Sequence, residues 1–181
     1  ARDYDTLMKV IRALSSMLHM TVRRTEAIVS LAEELEYVRS YVAIQELRYR
    51  ELFSWAIEAE AEALEARVCR FSVQPLVENC FTHGVHQGSD GMRLTVRASL
   101  AGADVHVDVL DDGPGCPPEV ARSLRLSFAG TRDRLGREGG LFNVHDRIRM
   151  AFGHPYGLGL VDVDRGFGIR LTVPRAGARP G

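Results

Sequence analysis

Cysteine is scarce in this chain. Cys69, Cys80 and Cys116 make an odd number at irregular spacing, which argues against a disulfide framework and fits a reducing cytosol. Lysine is scarcer still: Lys9 stands alone, and the other 22 basic residues are arginine, a skew that codon bias explains without a special phosphate surface. The net charge of -1 gives no general electrostatic reason to bind nucleic acid or an anionic membrane. No apolar run reaches the roughly 20 residues of a membrane helix, and no secretory signal is visible. The chain starts with Ala1 rather than Met, so a membrane-anchored sensor upstream stays open, with these 181 residues expected in the cytoplasm. Internal repeats are absent, as are the GxxxxGK[ST] phosphate loop and a GxGxxG following a strand.

What is present is periodicity. Over 4–26, Leu7, Val10, Ile11, Leu14, Met17 and Leu18 recur at helical spacing. Ser30 followed by Glu33 is a capping box for a second helix, with Leu31, Leu35, Val38 and Val42 on one face to about Arg50. Two such helices fit either a helical hairpin at the end of a dimerisation or linker region, or core helices of the following domain. The boundary falls after residue 50: a helical segment over 1–50, a catalytic domain over 51–175 and a disordered tail over 176–181. From residue 51 the chain reads as a strand over 52–60, a helix over 71–86 and a hairpin of alternating residues across Ala101-Gly102-Ala103. A variable arginine-rich stretch over 117–138, a helix over 140–152 and a hairpin of 158–164 with 167–174 follow. That order predicts an α/β sandwich with helices on one face of a mixed sheet.

Three segments carry candidate chemistry. In FSVQPLVENCFTHGVH, Val73, Leu76, Val77 and Cys80 share an apolar face, while Pro75, Glu78, Asn79, Thr82, His83 and His86 fall opposite. That polar face holds an amide, a hydroxyl and imidazoles, which are ligands more than solubilisers; Pro75 must occupy the first turn. The second segment runs from a strand into Asp111-Asp112-Gly113-Pro114-Gly115, a turn whose glycines admit positive φ and close approach of a flat ligand. In the third, Gly139 and Gly140 lead directly into a helix whose free N–H groups and positive end suit phosphate. Each alone is compatible with an ordinary exposed helix face, turn or loop.

Together and in this order the segments match a family pattern. QPLVENCFTHG resembles the N box of the LytS-type sensor histidine kinases, DDGPG resembles their first glycine box, and GGLFNVHDRIRMAFG resembles the second. Upstream, LAEELEYVRSYVAIQELRYR resembles the same group's LxxELxxVxxYLxIxxxRF stretch. The resemblance, over residues 5–175, implies the Bergerat (GHKL) fold, with ATP held between helices and sheet under a flexible lid. It also implies roles. Asn79 would be the Mg²⁺ ligand, with His83 beside the phosphates. Asp111 would accept the adenine amino group, with room from Gly113 and Gly115. Gly140, Leu141 and Asn143 would stand at the phosphates, and lid arginines would come from among Arg122, Arg132, Arg134 and Arg137. The implied activity is transfer of the ATP γ-phosphoryl group to a histidine on an upstream segment of the same kinase. A response regulator would be the next partner, and the full-length protein a homodimer.

Departures from the pattern are also visible. Glu138 stands where the last box usually has a glycine, and Cys69-Arg70 where Pro-Pro commonly precedes the N box. No PHFLxN-like motif is present, and His19, His86, His106, His145 and His154 all lack the phosphoacceptor context. ATP hydrolysis of the gyrase or chaperone kind needs a Glu four residues before the metal-binding Asn, where this chain has Pro75. A zinc site from Cys80, His83 and His86 lacks a fourth ligand, and Cys80 lies on the apolar face. The competing class is a non-catalytic nucleotide-binding or dimerisation module of the same fold, for which Glu138 speaks.

Overall fold

The computed structural model describes residues 26–49, 52–84, 91–130 and 139–175, together with Met8, Ile11 and Ser15, which are helical. Save for Glu26, which is not helical, the rest of the helix expected over 4–26 lies outside the described residues. So do His86, Arg132, Arg134, Arg137, Glu138 and the tail over 176–181.

The first full helix, α1 (Leu31–Arg48), begins where the capping box requires. Ser30 Oγ accepts the Glu33 N–H at 3.3 Å, and Glu33 Oε2 accepts the Ser30 N–H at 3.0 Å. Leu31, Leu35, Val38 and Val42 are all buried, and they belong to the same hydrophobic core as the sheet that follows. Ahead of α1, β1 (Ile28–Ser30) pairs antiparallel with β3 (Arg67–Cys69). Strands of three residues carry too little alternation to be seen in a sequence.

The main sheet contains β2 (Phe53–Ala59), β4 (Met92–Ala101), β5 (Asp104–Asp111), β6 (Gly157–Leu160) and β7 (Phe167–Pro174), in the order β2-β4-β5-β7-β6. Only β2 and β4 run parallel, so the sheet is mixed, as expected. Alternation decides its two faces. Leu94, Val96, Val105, Val107, Val109, Ile169 and Leu171 are buried and belong to the core. On the outer face Arg170 donates to Asp108 through both Nε (2.6 Å) and Nη2 (2.7 Å), directly across the β5–β7 ladder. The last hairpin is shorter than its pattern: pairing stops at Leu160, extended only by the Val161 N–H to Gly168 O bond.

Three further α-helices among the described residues are α2 (Gln74–His83), α3 (Pro118–Phe128) and α4 (Gly140–Phe152). The expected start of α2 at residue 71 is corrected to Gln74, because Phe71 sits at φ 55, a left-handed conformation no α-helix contains. Pro75 is in the first turn, and Leu76, Val77, Cys80 and Phe81 are buried. The stretch read as variable over 117–138 is helical over α3. Its Val120, Leu124 and Phe128 repeat every four residues, a stripe obscured by the intervening arginines and serines.

Candidate functional site

The alternation that buries Val105, Val107 and Val109 also turns Asp111, two residues on, to the helix side of the sheet. There its carboxylate is 7% exposed. Oδ1 accepts the Gly113 N–H at 2.9 Å, and the buried Cys80 of α2, whose thiol donates to Leu76 O at 3.5 Å, stands beside the carboxylate. Burial pushes the Asp111 pKa above the ordinary carboxylate value, and the Gly113 N–H and Cys80 thiol pull against it. Burial likewise drives the Cys80 thiol well above its usual range, with Asp111 adding to it. This thiol is a structural donor and not a reactive one.

Backbone packing fixes the turn around Asp111. A Cβ on Gly166 (φ +87) would lie 1.8 Å from Asp111 O, and one on Gly115 (φ +75) would lie 2.8 Å from Gly166 O. A side chain at either position would have to displace main chain. In the sequence, Gly166 marks only a hairpin turn. Its contact is with a residue 55 positions earlier, which nothing local encodes.

Between this turn and the helices lies a cavity of about 440 Å³, a volume suited to a small organic ligand. Asn79 and His83 reach it from α2, Asp111 and Gly115 from the end of β5, and Gly140 and Leu141 from the start of α4. Six of the residues singled out in the sequence therefore share one space. Gly113 does not line it and acts instead as the N–H donor that holds Asp111. Asn143 is exposed and also stands outside; its N–H reaches back to Gly139 O at 3.4 Å. Arg122, likewise exposed, is not in the wall, and Arg125 of the same helix is paired with Asp162.

Asn79 Nδ2 donates to Pro75 O at 2.8 Å. A carbonyl can only accept, so the amide nitrogen must face it, and the side-chain oxygen is left for a ligand. At the other end of the cavity, Gly139 (φ +141) turns the chain into α4. The N–H groups of the first helical turn have no intrahelical acceptors, and Gly140, Leu141 and Phe142 line the space there. A Cβ on Gly140 would meet nothing within 4 Å, so this corner is open.

The sequence does not mark the apolar walls as part of a site. Val120 and Leu124 of α3 face the cavity, with Phe142 and Phe167. The only sequence signal of Val120 and Leu124 was the four-residue repeat in α3. His145, read as a packing or surface histidine, is a packing one: it is 3% exposed and stacks on Phe128 with centroids 5.0 Å apart. Its Nδ1 accepts the Leu158 N–H at 2.9 Å. Among the described residues, no group of three or more His, Cys, Asp or Glu side chains could hold a metal ion, and no helix is long and apolar enough to cross a membrane.

Residues 1–53 match the family model of histidine kinases, and residues 67–177 match that of the histidine kinase-, DNA gyrase B- and HSP90-like ATPases. Sensor histidine kinase YesM of Bacillus subtilis is 27% identical over 175 residues, covering 96% of this chain and 29% of that protein. Sensor protein kinase HptS of Staphylococcus aureus is 32% identical over 148 residues, covering 80% of this chain and 27% of that protein. This chain thus spans under a third of the length of either relative. Among solved structures, the catalytic domain of histidine kinase ThkA superposes with a TM-score of 0.58 at 16% identity, over 83% of this chain and 99% of that one. ThkA in complex with the response regulator protein TrrA gives 0.55 at 17% identity, over 95% and 49%. At these identities the likeness speaks for the fold.

Proposed function

The chain belongs to the sensor histidine kinases of the LytS/YesM type and carries their ATPase domain, and from that premise we propose that it binds Mg-ATP in the cavity above and donates the γ-phosphoryl group to a histidine on an upstream segment. One observation carries the reading: Asn79, Asp111 and Gly140, far apart in sequence, face one cavity of about 440 Å³.

The donor set suits an adenine nucleotide. Asp111, with Oδ1 held by Gly113, has its remaining acceptor capacity for the adenine amino group. Guanine would present a carbonyl there and leave the carboxylate unpaired, a mismatch worth up to about 10⁴-fold in discrimination. Val120, Leu124 and Phe167 supply apolar surface for the flat base. Gly140, Leu141 and Phe142 offer backbone N–H groups and the positive end of α4 to the phosphates. Asn79 Oδ1 is a hard oxygen donor of the kind Mg²⁺ takes, and an ion that keeps several waters needs few protein ligands. His83, one turn further along α2, stands beside the same phosphates.

Transfer then rests on positioning and charge neutralisation, which is most of what phosphoryl transfer asks of a protein. Pro75 occupies the place a water-activating base would need, so the chain holds ATP for a protein acceptor and not for hydrolysis. The response regulator is the expected recipient of the phosphoryl group afterwards, with a homodimer in the full-length protein. Arginines in 131–138 are the candidates for a closing lid.

Supplying the upstream histidine-containing segment with γ-labelled ATP tests this: label should move to that segment. Binding of Mg-ATP without transfer would favour a nucleotide-binding module, and no binding at millimolar nucleotide would end the reading. Asn79→Ala should abolish the Mg²⁺-dependent part of the affinity, measured by titration calorimetry with and without chelator. Unchanged Mg²⁺ dependence would remove the metal assignment.

A further inference from the structure

Outside the cavity, Glu34 is a buried carboxylate held by backbone N–H groups. It projects from α1 into the core and is 2% exposed. Its Oε2 accepts the Phe71 N–H at 2.7 Å, and the Ser72 and Val73 N–H groups also favour its charge. Its Oε1 is equally buried and has no hydrogen-bond partner. From the other side, Arg147 of α4 donates through Nη1 to Arg70 O (3.1 Å) and through Nη2 to Phe71 O (2.7 Å). The turn grasped between them holds Phe71 in its left-handed conformation, packed edge-on against Tyr37 of α1 at 5.1 Å, and leads directly into α2.

We infer that Glu34 is a positioning residue for the nucleotide site: with Arg147 it clamps the 70–73 turn, so that α1, the Asn79-bearing α2 and the phosphate-facing start of α4 are held as one block. The inference rests on the proposed nucleotide site, and it adds a specific route by which α1 reaches that site. Helices packed only through apolar side chains can slide by small amounts. A carboxylate fixed to backbone N–H groups, opposed by a guanidinium fixed to the adjoining carbonyls, sets the distance between three elements at one point. Asn79 lies less than two helical turns beyond the clamp, so a shift of the turn is carried to its side-chain oxygen.

The clamp is also titratable. Burial raises the Glu34 pKa from 4.5 to about 7, opposed by the turn's N–H groups and by Arg147. Cys69 of β3 faces it as well, and its own thiol is pushed up by burial and by Glu34. Because the folded-state pKa is raised, the protonated form's contribution to stability is complete below 4.5 and is lost as pH rises through about 7. The ionised form, conversely, makes the stronger bonds to the turn. Affinity for nucleotide should therefore rise with pH while stability falls. A merely structural residue would move both together.

The test compares the full chain with its Glu34→Gln variant, which imitates the protonated state. Mg-ATP affinity and melting temperature are measured from about pH 5.5 to about 8.5, bracketing the raised pKa. The wild type should bind about fivefold more tightly than the variant at the alkaline end and equally at the acidic end, and its melting temperature should fall relative to the variant's. Titration of the nucleotide is common to both proteins and cancels. An affinity ratio that does not change with pH would overturn the inference. Hydrogen exchange at the Phe71, Ser72 and Val73 amides without nucleotide reads the clamp independently. If the wild type fails to bind Mg-ATP, the site reading falls, and exchange alone decides the clamp. Faster exchange in the variant at alkaline pH upholds it, and equal exchange removes it.

Discussion

Asp111→Asn is expected to weaken Mg-ATP binding by roughly 10- to 100-fold, the factor that loss of a hydrogen bond to a charged group of about 1.5–3 kcal/mol produces. The substitution is nearly isosteric, so the effect is chemical. The Gly113 N–H, 2.9 Å from Oδ1, can only donate, and it fixes which end of an amide must face it. Asparagine therefore turns its oxygen to Gly113 and presents its NH₂ where the adenine amino group arrives, donor against donor. The same geometry should relax selectivity, since that NH₂ can donate to the carbonyl guanine presents. Calorimetric titration with Mg-ATP and Mg-GTP reads both effects. Equal ATP affinity in variant and wild type would show that Asp111 does not recognise the base.

A larger effect is expected from shortening the chain. A protein beginning at residue 51, the boundary suggested by hydrophobic pattern alone, should not fold. It would lack Val29, Leu31, Leu35, Val38 and Val42, each 3% exposed or less and all part of one core with the sheet and α2. At about 1.5–3 kcal/mol per buried side chain these five supply about 7–15 kcal/mol. That is the size of a whole domain's net stability, about 5–15 kcal/mol. Phe81 would also lose its edge-on partner Tyr41, 5.9 Å away, and the 70–73 turn would lose Glu34. We accordingly place the start of the folding unit before residue 28. Proton spectra and thermal melts of chains beginning at 26 and at 51 check this. A cooperative melt from the shorter one would mean that α1 is dispensable.

Much of the fold was legible because its signals are local. The capping box at Ser30 and Glu33 is satisfied within one turn, and the alternation in β4, β5 and β7 needs only a half-buried sheet. In the same way, Pro75 and the buried face of α2 follow from helical spacing. What stayed hidden has non-local causes. The three-residue strands β1 and β3 exist because they pair with each other. The wall formed by Val120 and Leu124 depends on α3 packing against β6, and Asn143 fell outside because the rotation of α4 turns that position to solvent.

The division between the two kinds of information follows one physical rule. Residue types and their spacing along the chain determined the order of elements, the face each would bury, and the donor and acceptor groups available: an amide, a carboxylate and two glycine-bearing turns. Only the tertiary structure decided that Gly166 leaves space against Asp111, that Cys80 meets the same carboxylate from α2, and that Glu34 and Arg147 grip one turn from opposite sides. That grip joins Phe71 to residues 37 and 76 positions away, and chain folding alone sets the distances. Hydrogen bonds and steric exclusion act over a few ångströms in space, whereas sequence records neighbours along the chain.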